Sequence, residues 1–289
     1  MQTIHDLAPL RERVAVAKRS GHAVGFVPTM GALHEGHLSL VRQARRESGF
    51  VVVSIFVNPL QFGPSEDFAR YPRRPEEDAK LLDSAGADLL YAPDPAAFFP
   101  ADFSTAVEVA GVTDGGEGAM RPGHFRGVAT VVAKLFLQVA PDAAYFGRKD
   151  LQQTAVIRRM VRDLDFPIRL VIGDTVREDD GLAMSSRNAY LSPADRATAA
   201  SLSRALFAAR DQAQRGGVDA AALEAEVRRT LEEAGLAVDY VETVDPVTMR
   251  RDAKASAGAA LAAAVRIGRT RLLDNVLLST ESEPERNRP

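Results

Sequence analysis

Residues 28–37 of this chain read Pro28-Thr29-Met30-Gly31-Ala32-Leu33-His34-Glu35-Gly36-His37, and they follow an apolar run at 23–27. The run predicts a buried strand, and residues 36–47 carry apolar side chains at helical spacing. In an open α/β sheet, ligands bind beyond the carboxyl ends of the strands, and a helix N-terminus favours anions. Two histidines in the connecting turn therefore predict a phosphate site, for which a nucleotide is the natural ligand.

Three alternatives compete with this interpretation of the histidine pair: a zinc site, a P-loop and chance proximity. The helical zinc motif H-E-x-x-H separates its histidines by four positions, whereas His34 and His37 are three apart, and the chain has no cysteine. A P-loop requires Lys-Ser/Thr where this chain has His37-Leu38. Chance proximity of two among five histidines is the remaining alternative.

The composition excludes several classes of protein. The 289 residues are 46% hydrophobic and 26% charged, and the net charge of -3 gives no reason to expect nucleic acid or an anionic membrane as a partner. The absence of cysteine excludes disulfides, thiolate metal ligands and a cysteine nucleophile. The first ten residues lack an apolar signal core, and no apolar stretch reaches the ~18 residues of a membrane span. We expect a soluble, cytoplasmic protein.

The order of patterns predicts an α/β fold: a Rossmann-like, doubly wound parallel sheet followed by a smaller α+β domain. Candidate strands lie at 23–27, 50–57, 87–91, 143–146 and 168–172, and candidate helices at 36–47, 75–84, 128–139 and 150–164. After residue 175 come alanine- and arginine-rich helical patterns at 193–215 and 219–234, then β-like runs at 238–244, 259–267 and 271–278. The predicted domains are 1–175 and 176–289, the second a lid, with a disordered tail at 280–289.

Other candidate site residues follow predicted strands or the domain junction. Asn58 and Gln61 follow the second strand, and Gly147, Lys149, Asp150 and Gln153 follow a later one. Residues 183–188 read Ala-Met-Ser-Ser-Arg-Asn, a hydroxyl-rich loop with one arginine that suits a lid over triphosphate. Each of these segments is also compatible with an ordinary turn, and residues 121–127 are interpreted as the rim of the site or an ordinary loop.

The sequence offers no obvious covalent nucleophile. It contains no Gly-x-Ser-x-Gly motif, and the acids Glu76, Glu77 and Asp78 are typical of a solvated first helical turn. Several loops suited to phosphate, without a hydrolytic centre, indicate nucleotidyl or phosphoryl transfer.

These segments together resemble the pantothenate synthetase (pantoate–β-alanine ligase) family of HIGH-type nucleotidyltransferases. The resemblance rests on residues 27–37, 54–62, 121–128, 146–153 and 180–188, and on Arg271-Leu272-Leu273-Asp274-Asn275 near the end. It implies condensation of (R)-pantoate with β-alanine, using ATP and Mg²⁺, through a pantoyl adenylate, with release of AMP and pyrophosphate. It also implies a homodimer.

The resemblance further implies roles for particular residues. His37 matches the proton donor, with His34 and Lys149 beside it in catalysis, and Gln61 and Gln153 match the contacts to pantoate and β-alanine. Positions matching the ATP site are Met30, Gly31, His34, Gly36, His37, Gly147, Arg148, Lys149, Asp150, Val176, Met184, Ser185, Ser186 and Arg187. The residues that contact the metal are unknown.

One position departs from the family pattern, which has Gly-Glu-Lys-Asp where this chain has Gly147-Arg148-Lys149-Asp150. The reversed charge could change ATP affinity or pair with a different partner. Two other functions stay open at this point: a nucleotidylyltransferase that moves AMP onto a phosphorylated acceptor, and a non-catalytic nucleotide-binding module.

Overall fold

The computed structural model describes residues 1–64, 66–216, 218–256 and 258–279, so the predicted disordered tail at 280–289 lies outside the described residues. The strands are β1 Gln2–Ile4, β2 Val24–Thr29, β3 Phe50–Ile55, β4 Leu89–Tyr91, β5 Ala143–Gly147, β6 Arg169–Gly173, β7 Ala237–Val244, β8 Ala260–Ile267 and β9 Thr270–Leu277. The α-helices are α1 Leu7–Arg19, α2 Glu35–Glu47, α3 Pro75–Ser84, α4 Pro95–Phe98, α5 Gly116–Met120, α6 His124–Val139, α7 Leu151–Asp163, α8 Pro193–Ala199, α9 Ser201–Arg215 and α10 Ala220–Glu233.

The chain divides into two compact units. The first comprises Met1–Val109, Arg121–Arg148 and Val156–Asp174, and the second comprises Ala110–Met120, Lys149–Ala155 and the described residues from Thr175 onward. The sequence-based division after residue 175 thus differs from these units at 110–120 and 149–155. Those two segments are joined by the side-chain amide of Gln152, which donates to the carbonyl oxygens of Val112 and Gly115, both at 2.9 Å.

The first unit is built on a six-stranded sheet with the order β1-β4-β3-β2-β5-β6, in which every pair is parallel. Val51, Val52 and Val53 of β3 are fully buried, as expected for a central strand covered by helices on both faces. The strand order reverses between β2 and β5, which makes their carboxyl ends a topological switch point.

The second unit contains an antiparallel sheet with the order β7-β8-β9. Helices α9 and α10 pack on one face of it, burying Leu206, Leu223 and Val227 against Leu261 and Val276. The predicted fold class, a doubly wound parallel sheet with a smaller α+β part, is confirmed.

Several elements differ from the sequence-based prediction. Strand β1 and helices α1, α4 and α5 were not predicted. A three-residue strand with one buried side chain, Ile4, has no readable alternation, and α4 and α5 are only four and five residues long. The predicted helix at 193–215 is two helices, α8 and α9, separated by Ala200. Within the described part of the chain, every helix is too short or too polar to cross a bilayer.

Candidate active site

The predicted site in the first unit lies at the switch point of the sheet. The turn after β2 contains Met30, Gly31 and His34, the first helical turn of α2 contains Gly36 and His37, and the segment after β3 contains Gln61. The pairing of β2 with β3, which aligns Thr29 with Ile55, brings the ends of these two strands side by side. The structure therefore places the first group of predicted residues at one edge of one sheet.

The two histidines cap helix α2 reciprocally. The His34 Nδ1 accepts a hydrogen bond from the Gly36 backbone N–H at 3.2 Å, and the His37 Nδ1 lies 3.4 Å from the His34 backbone N. The ring centroids are 4.1 Å apart. A neutral imidazole that accepts at Nδ1 carries its proton on Nε2, so the capping geometry selects the tautomer that presents an Nε2–H donor on each ring.

The charge around this helix N-terminus suits an anion. Glu35 is the only acid in the first turn of α2, and it forms an ion pair with Arg42 of the same helix. The backbone N–H groups of Gly36 and His37 already donate to the His34 Nδ1 and the His34 carbonyl oxygen, so it is the helix dipole that favours negative charge there. The arrangement can bind phosphate and donate hydrogen bonds to it from two imidazoles.

Asp78 of α3 supports the turn from beneath, a role that sequence reasoning missed. Gly31 and Ala32 both have left-handed backbones, with φ of 82° and 49°. The Asp78 carboxylate, 2% exposed, accepts from the backbone N–H groups of Ala32 at 2.9 Å and Leu33 at 2.8 Å. Burial raises the pKa of Asp78, although the two N–H groups oppose that shift.

The interpretation of Asp78 as a solvated helix-start acid is therefore wrong. Its neighbours Glu76 and Glu77 are exposed, as predicted, and only the third acid turns inward. The available signal was its spacing of four residues before the fully buried Leu82, which puts both side chains on one face of α3.

Gln61 is fixed by Asn58 and reaches the histidine turn through Met30. Asn58, 1% exposed, begins a 3₁₀ helix at Pro59–Gln61 and accepts from the Leu60 N–H at 3.2 Å. Its Nδ2 donates to the Gln61 Oε1 at 3.0 Å and to the Gly127 carbonyl oxygen at 3.1 Å. The Gln61 Nε2 lies 3.2 Å from the Met30 Sδ, so the two predicted loops are in contact.

The segment at 121–127 holds the backbone of Gln61. The Gln61 carbonyl oxygen is 2.9 Å from the His124 Nδ1 and 3.3 Å from Arg121 Nη2, which donates to it. Arg121 also forms a two-pronged ion pair with Glu66, at 2.7 and 2.6 Å. Burial opposes ionisation of Glu66, but the hydrogen bonds and charge of Arg121 outweigh it and lower the Glu66 pKa. Arg121, His124 and Glu66 therefore hold the backbone of Gln61, and their contacts do not indicate a separate ligand site.

At the end of β5 the unusual Arg148 has a partner in the first unit. Its Nε lies 3.4 Å from Asp174 Oδ1, beyond the end of β6. The Arg148 side chain is 16% exposed and that of Asp174 is 93% exposed, so this is a solvent-screened pair. Gly147, immediately before Arg148, leaves open space where a Cβ would stand.

In the second unit, the predicted residues Lys149 and Asp150 end the 3₁₀ helix Arg148–Asp150, and Gln153 lies in the first turn of α7. The Lys149 Nζ is 3.5 Å from Asp150 Oδ1, and its side chain is 19% exposed. The Gln153 side chain is half-buried and makes no hydrogen bond within the described part of the chain. Its neighbour Gln152 is buried and structural, since its Oε1 accepts from the Glu117 N–H at 2.9 Å.

The remaining predicted residues lie on one hairpin of the second unit. An isolated bridge joins Arg177 to Ala183, and the Met184 N–H donates to the Val176 carbonyl oxygen at 3.0 Å. Ser185 caps the 3₁₀ helix Ser186–Tyr190 by accepting from the Arg187 N–H at 3.2 Å. Asn188 is buried and donates to Glu178 Oε1 at 2.7 Å and to the Ala183 carbonyl oxygen at 3.1 Å. The hydroxyl-rich segment at 183–188 is thus a folded, capped turn.

Comparison with known proteins gives a consistent family. The family model described as pantoate-beta-alanine ligase matches residues 2–277. A pantothenate synthetase from Rhizorhabdus wittichii is 54% identical over 284 residues, covering 98% of this chain and 100% of the relative. A pantothenate synthetase from Thermus thermophilus is 54% identical over 279 residues, covering 96% and 99%.

Solved structures agree with the sequence relatives. A crystal structure of pantothenate synthetase from Thermus thermophilus has a TM-score of 0.91 and 51% identity, covering 96% of this chain and 99% of that one. The pantoate-beta-alanine ligase of Francisella tularensis, complexed with beta-gamma ATP and beta-alanine, has a TM-score of 0.81 and 30% identity, covering 97% and 99%.

Proposed function

The chain belongs to the pantoate–β-alanine ligase family, and we infer that it is an ATP-dependent enzyme that condenses (R)-pantoate with β-alanine to form pantothenate. The observation that supports this most directly is the capped histidine turn at the switch point, with the uncharged Gln61 in contact with it through Met30. The turn suits a phosphate, and the glutamine suits a hydroxy acid that carries no phosphate.

We propose two chemical steps. The pantoate carboxylate oxygen attacks the α-phosphorus of ATP, forming pantoyl adenylate and releasing pyrophosphate. The neutral amine of β-alanine then attacks the pantoyl carbonyl carbon, the bond to the AMP oxygen breaks, and the amine loses a proton as the amide forms. AMP leaves with the oxygen that came from the carboxylate.

In the first step the chain must stabilise charge that builds on the α-phosphate. We propose that the Nε2–H groups of His34 and His37 donate to these oxygens and that the dipole of α2 stabilises the charge on them. Donors fixed before the reaction need no reorganisation during it, and removing one such donor commonly costs about 10²–10³ in rate. The capping bonds at both Nδ1 atoms provide that fixation here.

The other residue assignments remain proposals supported by the family resemblance. Met30, Gly31, Gly36, Gly147 and Arg148 of the first unit are assigned to ATP. So are Lys149, Asp150, Val176, Met184, Ser185, Ser186 and Arg187 of the second. Gln61 and Gln153 are assigned to pantoate, and Gln61 also to β-alanine.

We propose Mg²⁺ as the metal, carried by ATP. The described residues form no cluster of three or more His, Asp or Glu side chains that could hold a metal. Mg²⁺ in nucleotide enzymes is commonly bound by phosphate oxygens and water with few protein ligands, so a pre-built cluster is not required. When bound, the ion would neutralise charge on the phosphates.

The assembly and location of the enzyme also remain proposals. The family resemblance supports a homodimer, which light scattering of the purified chain tests. The need for ATP favours a cytoplasmic location, which cell fractionation tests. The net charge of -3 supports the expectation that no nucleic acid or membrane is a partner.

The decisive experiment measures pyrophosphate and AMP release with ATP and pantoate, with and without β-alanine. We expect pyrophosphate release that depends on pantoate, and pantothenate only when β-alanine is added. Pyrophosphate release without amide formation would favour a nucleotidylyltransferase instead. ATP binding with no pantoate-dependent release would favour a non-catalytic module.

A further inference from the structure

Strand β9 carries two adjacent buried polar residues, Asp274 and Asn275, which are 2% and 3% exposed. They end the motif that begins at Arg271, part of the family resemblance to which no role is attached. Buried polar side chains are costly unless they are hydrogen-bonded, so their partners indicate what these two residues hold in place.

Asn275 holds the main chain at Lys149. Its Nδ2 donates to the Lys149 carbonyl oxygen at 2.9 Å, within the 3₁₀ helix Arg148–Asp150. Lysine has a long, flexible stem, and its ammonium can be aimed only if the backbone from which it leaves is fixed. Asn275 supplies such a fixed point from a neighbouring strand.

Asp274 holds the hairpin that carries Val176 and Met184. It forms a two-pronged ion pair with Arg177, at 2.6 and 3.0 Å, and Arg177 also donates to the Gly181 carbonyl oxygen at 3.1 Å. Arg177 belongs to the bridge that closes this hairpin. Burial raises the pKa of Asp274, against the opposing effects of Arg177 and of the charge on Lys149.

The two residues also constrain one another. The Asp274 Oδ1 accepts from the Asn275 backbone N–H at 2.8 Å, and Arg177 Nη2 lies 3.4 Å from the Asn275 carbonyl oxygen, to which it donates. The Arg177 guanidinium lies over the Phe207 ring, with its Cζ 4.6 Å from the ring centroid. One dipeptide of β9 is therefore linked to two separate segments of the second unit.

We propose that Asp274 and Asn275 are a positioning pair that sets the Lys149 segment and the 176–184 hairpin in fixed relation to each other. The inference rests on the proposed function, because both segments are assigned to ATP by the family resemblance. Neither residue is proposed to touch substrate. Each acts through the residue it holds: Asn275 through Lys149, and Asp274 through Arg177 and its hairpin.

The first test is a double-mutant cycle between Asn275→Ala and Lys149→Ala, with the full-length chain. We expect Asn275→Ala to lower kcat/KM for ATP by roughly 5- to 30-fold, the effect of losing one buried hydrogen bond. In the Lys149→Ala background the same change should cost less than about twofold, because the group it positions is already gone. The KM for β-alanine should stay within about twofold of the wild-type value.

Thr243→Val is the matched control. Thr243 is fully buried in β7 of the same sheet, and its hydroxyl makes no hydrogen bond with any described residue. The Thr243→Val substitution should leave kcat/KM for ATP unchanged. Asn275→Leu, which keeps roughly the size but has neither an N–H donor nor a charge, replaces Asn275→Ala if that variant does not fold. An equal loss in the wild-type and Lys149→Ala backgrounds would mean that Asn275 only stabilises the fold, and would overturn its assignment.

The second test does not depend on activity. Asp274→Asn should speed amide hydrogen exchange at 176–187, and Asn275→Ala should speed it at 149–152. Asp239→Asn is the control, because Asp239 forms ion pairs with Arg266 and Arg271 in the same sheet. Exchange that rises uniformly across the second unit would overturn the positioning pair. A wild-type chain with no pantoate-dependent pyrophosphate release, but with local exchange as expected, would overturn only the proposed reaction.

Discussion

His37 has two roles, one structural and one proposed for catalysis. It caps α2 through Nδ1 and is proposed to donate through Nε2, so His37→Ala removes a weak 3.4 Å capping contact and a proposed transition-state donor together. We expect turnover to fall by about 10²–10³ and ATP affinity to fall far less, because the donor matters most as charge builds on the α-phosphate. Steady-state kinetics and calorimetric ATP titration measure the two effects. His22→Ala, at an exposed position, is the control. A variant within about fivefold of wild-type turnover would remove His37 from the mechanism.

Asp78 should affect the same chemistry from a position that touches no substrate. In Asp78→Asn an NH₂ group replaces one carboxylate oxygen. Only one of the two hydrogen bonds from the Ala32 and Leu33 N–H groups can then remain, and the new N–H donor faces the other N–H group. We expect a loss of stability of about 1–3 kcal/mol, as for a stranded buried partner, and about a tenfold fall in kcat.

A double-mutant cycle distinguishes positioning by Asp78 from mere stabilisation. In the His37→Ala background, Asp78→Asn should lower stability by the same amount and kcat by less than about twofold. Glu76→Gln, an exposed acid in the same helical turn, is the control. If kcat fell equally in both backgrounds, Asp78 would not act through the histidine turn.

The two glutamines should differ from the histidines in the substrate they affect. Gln61→Ala and Gln153→Ala each remove neutral hydrogen bonds worth of order 1 kcal/mol, so we expect a several-fold higher KM for pantoate and nearly unchanged ATP binding. Gln152→Ala is the comparison. Its buried amide joins 110–117 to α7, so it should lower the melting temperature more than it raises any KM. Equal losses of ATP and pantoate affinity at Gln61 would show that it is structural.

The fit of helix α6 against the segment after β3 gives a prediction about packing. A Cβ on Gly127 would lie 2.2 Å from the Leu60 carbonyl oxygen, so Gly127→Ala must push the 3₁₀ helix Pro59–Gln61 away from α6. We expect a destabilisation of about 1–3 kcal/mol, typical of overpacking, together with a raised KM for pantoate. Thermal unfolding and kinetics measure both, with Leu137→Ala on the exposed face of α6 as the control. An unchanged KM would mean that this contact does not set Gln61.

Most helices and strands could be predicted from the sequence, but the buried side chains that hold the site in place could not. Strong periodicity predicted α2, β3 and β5, because burial on one or both faces leaves a direct pattern in the residues. Helix α6 begins at His124, earlier than the predicted 128, because Pro122, Gly123 and Gly127 made the whole of 121–127 resemble a loop. Asp78 and Asn275 were missed as supports because their partners are backbone groups 46 and 126 positions away, which no local pattern records.

The division into two units also follows contacts that sequence order conceals. Residues 110–120 precede α6 in the chain, yet they belong to the second unit. Glu117 forms an ion pair with Arg271 at 2.6 Å, and Arg271 pairs with Asp239 at 2.6 Å. Glu117 lies 154 positions before Arg271, so a single boundary after residue 175 was the simplest inference from sequence. The second unit as a predicted lid remains a proposal.

Arg187 tests whether the second unit protects the reaction intermediate. The loop that carries it is already folded, since Ser185 caps its 3₁₀ helix and Asn188 anchors it to Glu178. We therefore expect the loop to move as a unit when ATP binds, with Arg187 contacting phosphate in the closed form. Arg187→Ala should lower kcat and also let water reach the adenylate, so that AMP forms in excess of pantothenate. Arg215→Ala, at the exposed end of α9, should change neither quantity. An AMP-to-pantothenate ratio that stays near one in Arg187→Ala would show that this loop does not exclude water from the intermediate.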